Sequence, residues 1–267
     1  MKSYNEVFQG LRSKKEGALV CFIVIGDPDY ETSLAIAKTM VDAGADILEL
    51  GLPFSDPIAD GPSIQSADVR ALGKGMNTYR VFEYIKELRN YTDAPIGLLS
   101  YYNLIYQYGV QNFYEKSFLA GVNSILVADM PIEEYDLAMV NSEKNKIDSV
   151  FMISPITDNK RIRKIAGKVT GFIYAVSRLG ITGARRDLEK STLSFIKRIR
   201  KFTNKPICVG FGISRPEHVK GVIKAGADGA IVGSAIVDLI AKNLGNKKRM
   251  LEAVEGYVRE LKTATRI

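Results

Sequence analysis

The chain has 267 residues, a quarter of them charged, with a net charge of +7. That length suits one large α/β barrel domain spanning residues 1–267 with a sizeable core. With His218 as the only His and Cys21 and Cys208 as the only Cys, it cannot build a zinc site of the usual Cys/His type and argues against a disulfide framework.

In chain order, residues 1–17 are polar and lack the apolar centre of a secretion signal, and no later run approaches the roughly 20 apolar residues of a membrane span. A cytoplasmic protein is expected. Short β-rich runs then alternate with longer helical patterns. The candidate strands are 19–25, 46–52, 96–101, 124–128, 149–154, 172–177, 206–210 and 230–233. Each is followed by a segment able to form a helix, which favours a (β/α)8 TIM barrel with extra terminal helices over an open sheet. The pairs Ala43-Gly44, Ala120-Gly121, Ala166-Gly167 and Ala225-Gly226 each precede a strand, as glycine does at a helix C-terminus. Cys21 and Cys208 sit in apolar runs and read as core residues. Residues 250–267 read as a closing helix.

The second candidate strand is the most unusual. Its near-continuous apolar run matches a parallel strand buried on both faces, yet it contains Glu49. A carboxylate there must be paired, protonated or used. Strand alternation puts Ile47, Glu49 and Gly51 on one face and Leu48 and Leu50 on the other. If the Glu49 face is the barrel interior, its side chain rises into the mouth, beside a loop carrying Asp60 and stiffened by Pro53, Pro57 and Pro62, with Gly61 to let it turn. The competing reading is an ion pair with a neighbouring strand.

The sequences Gly210-Phe211-Gly212-Ile213-Ser214 and Gly233-Ser234-Ala235 follow the seventh and eighth candidate strands. Glycine there lets backbone N–H groups approach an anion, and a helix beginning near Ser234 adds its positive end. Either loop alone could be a plain turn; together, in the order barrels use for phosphate, they indicate a phosphate cradle of Phe211, Gly212, Gly233 and Ser234, completed by Gly183. The net positive charge raises the question of nucleic acid. In the cluster Lys197, Arg198, Arg200 and Lys201, however, Phe195, Ile196, Ile199 and Phe202 interleave at helical spacing, so the charges form a solvated helix face. No nucleic-acid-binding motif accompanies them, and a basic balance also suits an enzyme of anionic substrates.

The run from Leu48 to Pro62, LELGLPFSDPIADGP, resembles the L-E-[LI]-G-x-P-[FY]-[ST]-D-P-x-A-D-G-P pattern of the tryptophan synthase alpha-subunit family, meeting every fixed position. Residues 171–183, GFIYAVSRLGITG, resemble that family's sixth loop, and 97–103 and 127–129 its third and fourth strands. Residues 22–28 resemble its first strand, with Cys21 and Val24 where Pro and Thr are more usual. The resemblance implies retro-aldol cleavage of indole-3-glycerol phosphate to indole and glyceraldehyde 3-phosphate, with Glu49 and Asp60 as the catalytic carboxylates. It further implies an indole pocket of Phe22, Leu99, Tyr101, Leu126, Met152, Tyr174 and Ile231, several of which composition alone would assign to barrel core. It makes the sixth loop a lid whose Thr182 meets the catalytic aspartate on closure, and its flanking glycines suit a hinge.

Such a reaction protonates the ring carbon bearing the side chain, removes the adjacent hydroxyl proton and stabilises positive charge at the ring nitrogen. A buried Glu49 with a raised pKa suits the proton transfers, and an ionised Asp60 suits the ring N–H, so the reaction the resemblance implies requires no metal, imine-forming lysine or organic cofactor. The resemblance also implies a pyridoxal-phosphate-dependent beta subunit in an alpha2beta2 complex, contacted through Asp56, Pro57 and the exposed second and sixth loops. A free-standing indole-releasing lyase and a non-catalytic phosphate-binding regulator remain as alternatives.

Overall fold

The computed structural model describes residues 1–176, 185–210 and 212–266, without the side chains of 137 and 185–190. In chain order the first elements are α1 (Tyr4–Ser13), β1 (Ala18–Val24), α2 (Tyr30–Asp42), β2 (Ile47–Gly51), α3 (Pro62–Gly73), α4 (Thr78–Arg89), β3 (Ile96–Ser100), α5 (Tyr102–Tyr108), α6 (Val110–Ala120) and β4 (Ser124–Val127). There follow α7 (Asp136–Lys144), β5 (Asp148–Ser149), β6 (Phe151–Ile153), α8 (Asn159–Lys168), β7 (Ile173–Val176), α9 (Arg185–Arg200), β8 (Ile207–Gly210), α10 (Pro216–Lys224), β9 (Gly229–Val232), α11 (Ser234–Lys242) and α12 (Lys247–Thr263).

All strand pairs are parallel, and the sheet order is β5-β4-β3-β2-β1-β9-β8-β7-β6. Only Val150 separates β5 from β6, so the sheet's two ends are consecutive in the chain and the ring is that of a (β/α)8 barrel. The fifth expected strand is thus in two pieces. The cause lies in the turn before β7: the Ser149 carbonyl accepts the N–H groups of Thr170 and Gly171, and the Ser149 N–H donates to the Thr170 hydroxyl at 2.8 Å. These bonds replace the ladder to β7, which resumes only at Phe151.

Every residue of β1 and β2 is buried, as strands packed on both faces require. Ala18, Val20 and Ile47 point inward with Leu126, Val150, Phe172, Tyr174, Cys208 and Ile231. Leu19, Cys21, Ile23, Leu48 and Leu50 point outward under the helices. The polar N-terminal stretch conceals a helix with a function in the fold. In α1 the side chains Tyr4, Phe8 and Leu11 recur on one face and join the inner cluster, closing the N-terminal end of the barrel. The Tyr4 and Ser124 hydroxyls share a 2.7 Å hydrogen bond there, and the Tyr4 ring meets Phe172 edge-on at 5.4 Å. A capping box between Ser3 and Glu6 begins the helix. At the other terminus α12 packs on α2, and Lys262 Nζ lies 2.9 Å from Asp46 and 3.2 Å from Glu16.

Gly44, Gly121 and Gly226 follow α2, α6 and α10 with φ of 105°, 91° and 95°, the left-handed stop expected of them. Gly167 differs: it lies inside α8, which ends at Lys168 and leaves through an extended Val169. The basic stretch of α9 is amphipathic as expected, with Phe195, Ile196 and Ile199 buried. Arg200 is held by Asp228 at 2.6 Å, and Lys197 is exposed. Among the described residues, no helix is long and apolar enough to cross a membrane.

Candidate active site

Parallel strands in a closed ring bring their C-terminal ends together around one opening. A cavity of about 350 Å³ lies there, walled by Phe22 of β1, Glu49 of β2, Leu99 of β3, Met152 of β6, Tyr174 of β7 and Ile231 of β9. Asp60, Gly61 and Ile64 form one side of its mouth; Gly212, Ser214, Gly233 and Ser234 form the other.

Glu49 is only 5% exposed. Register pairs it with Phe22 on one side and Gly97 on the other, so no neighbouring strand position offers a cation, and among the described residues it forms no ion pair. The ion-pair reading of Glu49 therefore fails. Burial, and secondarily the Asp60 charge, push its carboxyl up to about 8. Asp60 reaches the cavity from the loop between β2 and α3. Its Oδ2 accepts the Tyr101 phenol at 2.7 Å, its backbone carbonyl accepts the Gln65 side-chain amide at 2.8 Å, and the Ala59 N–H donates to the Tyr101 hydroxyl at 3.1 Å. Burial also raises the Asp60 carboxyl, while the Tyr101 hydrogen bond pulls it back. Glu49 is thus tuned toward the neutral acid, and Asp60 is held by a donor that favours its anion. Gly61 caps α3 in an extended conformation (φ −79°), so it supplies no left-handed turn.

The aromatic walls depend on absent side chains. A Cβ at Gly51 would lie 2.8 Å from the Phe22 ring, and one at Gly210 would lie 2.6 Å from the Tyr174 hydroxyl. At the far end, Gly233 precedes α11 with no side-chain cap. The first N–H groups of a helix lack i−4 acceptors within it, and Gly233, Ser234 and Ala235 at this helix start line the cavity. The loop bearing Gly212 is steadied where the Ser214 N–H donates to His218 Nδ1 at 3.3 Å. One end of the cavity therefore suits an anion, its middle an aromatic group, and its inner wall proton transfer.

Most of the expected site residues converge here. Tyr101 does not line the cavity: it stands behind Asp60, 2% exposed, with Phe54 stacked at 5.1 Å. Leu126 lies one layer down in the inner core, and Ala128, two residues further along the same face, takes the expected place in the wall. Thr182, Gly183 and Phe211 lie outside the described residues. Asp56 is exposed and Pro57 half-buried on the rim, beside Ile58, which is 82% exposed. Sequence reasoning missed Ile64 and Asp238. Ile64 lies in the first turn of α3, four residues after the loop residue Asp60, and Asp238 follows Ser234 by one turn of α11, so short spacing from residues already singled out was the available signal.

The model of the family described as tryptophan synthase alpha chain matches residues 8–266. The chain belongs to the tryptophan synthase alpha chain family. It is 51% identical to the tryptophan synthase alpha chain of Methanothermobacter thermautotrophicus, over 98% of this chain and 96% of that one. It is 43% identical to that of Helicobacter pylori, over 96% and 97%. A crystal structure of the tryptophan synthase alpha subunit from Legionella pneumophila superposes with a TM-score of 0.91 at 31% identity, covering 99% of this chain and 98% of that one. A chain of tryptophan synthase from M. tuberculosis matches at 0.89 and 25% identity, with full coverage of both. Membership in this family agrees with the barrel described above.

Proposed function

We propose that this chain, acting as one catalytic unit over residues 1–267, cleaves indole-3-glycerol phosphate to indole and glyceraldehyde 3-phosphate and passes the indole to a beta subunit of tryptophan synthase in the cytoplasm. The observation that carries the reading is that a buried Glu49 and a tethered Asp60 line one cavity, whose far end is formed by Gly212, Gly233 and the start of α11. In this reading the phosphate sits against Gly212, Gly233 and Ser234, and the indole lies among Phe22, Leu99, Met152, Tyr174 and Ile231.

Binding at the phosphate end fixes the distance to the reacting carbon, so affinity is converted into orientation. Glu49 begins protonated and gives its proton to the ring carbon that bears the glycerol chain. The resulting positive charge spreads to the ring nitrogen, whose N–H points at the Asp60 carboxylate. Glu49, now ionised, takes the proton of the adjacent hydroxyl as the carbon–carbon bond breaks. That bond's electron pair returns to the ring and restores its aromaticity. The hydroxyl-bearing carbon becomes the aldehyde, and Glu49 ends as it began. Tyr101 holds Asp60 in place, and Phe22 and Tyr174 keep the ring in plane with it.

Indole release from indole-3-glycerol phosphate tests the reading. The chain has no Trp, so product fluorescence is read against a low background. Turnover by wild type is expected; no turnover with or without a beta subunit overturns the lyase reading.

A further inference from the structure

Behind the catalytic loop, on α3, Asp68 is 3% exposed. Its Oδ1 accepts the Phe54 N–H at 3.3 Å, and its Oδ2 is buried with no hydrogen-bond partner among the described residues. A buried carboxyl oxygen without a donor is costly unless the group is neutral or its position serves a purpose. The charged groups around it are Asp60 on the β2–α3 loop and Asp27 on the β1–α2 loop. Asp27 is already engaged by Arg70 of α3 through bonds of 2.6 and 2.9 Å, so that guanidinium is committed elsewhere. Burial and these two carboxylates push Asp68 up to about 7.

The contacts run from Asp68 to the site without a gap. Phe54, whose N–H Asp68 holds, stacks on Tyr101 with ring centres 5.1 Å apart and planes tilted by 32°. The Tyr101 phenol donates to Asp60 Oδ2 at 2.7 Å. The geometry points to Asp68 as a positioning residue for the lyase reaction, fixing Phe54 so that Tyr101 is wedged in the one orientation that aims Asp60 into the cavity. Asp68 lines no part of that cavity itself. The task needs an acceptor for one N–H and no net charge, so Asn should perform it and Leu should not.

This inference rests on the lyase reading, and the experiment separates the two. Indole release is measured for wild type, Asp68→Asn, Asp68→Leu and Tyr101→Phe across pH, with thermal melting as a check on folding. Asp68→Asn should stay within about twofold of wild type, whereas Asp68→Leu should lose on the order of tenfold or more in kcat with KM little changed. The Tyr101 hydrogen bond lowers the Asp60 carboxyl, so its loss raises it. The acid limb of kcat/KM should therefore move to higher pH in Asp68→Leu as it does in Tyr101→Phe, and stay in place in Asp68→Asn. Wild-type inactivity removes the lyase reading. An active wild type with a folded Asp68→Leu whose kcat and acid limb are unchanged overturns the positioning role, as does an Asp68→Asn as impaired as Asp68→Leu.

Discussion

Glu49 and Asp60 are the same functional group in one cavity, and their neighbours separate them. Glu49 sits on a strand between apolar walls, where burial withdraws most of the solvation its anion would need; Asp60 sits on a loop and receives a phenolic hydrogen bond. Removing the Glu49 proton carrier with Glu49→Gln should lower kcat by roughly two to four orders of magnitude while substrate binding persists, measured by single-turnover indole release beside equilibrium binding. Because Glu49 starts the cycle protonated, wild-type kcat should fall as pH rises through about 8. Stability carries the same sign. Between the ordinary glutamate value of 4.5 and about 8, the folded state keeps a proton that the unfolded state has lost, so folding weakens as pH rises across that window. Glu49→Gln cannot ionise. It should melt above wild type at pH 8 to 9, and the gap should close toward pH 4.5; parallel melting curves at all pH values would count against the buried-acid description.

At the scale of elements, the barrel separates stability from chemistry. The N-terminal end is closed by α1, and Tyr4→Phe there should cost about 1 to 2 kcal/mol in denaturant unfolding, because Ser124 loses its buried partner, with kcat unaffected. At the other end, Gly210→Ala pushes a methyl against the Tyr174 ring and should lower kcat/KM by on the order of tenfold, with a loss of about 1 to 3 kcal/mol in stability. Much of this arrangement was legible in the chain. Two-faced burial of β2 is written in Leu48 and Leu50 flanking Glu49, and helix stops are written in Gly44, Gly121 and Gly226. What was not legible depended on pairs distant in sequence. The break at Val150 comes from the bonds between Ser149 and the 170–171 turn. Leu126 came to the pocket through the family resemblance alone, and alternation could not have placed it, because it fixes a face but not the layer along the barrel axis; Ala128 shares that face and lines the cavity. Tyr101 was expected in the pocket wall, yet its hydroxyl is turned to Asp60 rather than to the open cavity.

At the scale of the whole molecule, the loop carrying Asp60 is also the rim. Asp56 and Ile58 are exposed only a few residues from the catalytic group, so a partner seated on the rim can press directly on the position of Asp60. Asp56→Ala should therefore weaken stimulation by a beta subunit several-fold, measured as the ratio of indole release with and without it, while turnover of the isolated chain changes little. Asp68, behind the same loop, sets how firmly that rim is held from within. The most direct measurement is indole release from indole-3-glycerol phosphate by wild type, Glu49→Gln and Asp60→Asn, each with and without the beta subunit. Two carboxylates acting in one proton cycle predict an active wild type, stimulated by the partner, and collapse of both variants with binding retained. Full activity in either variant would contradict the shared cycle.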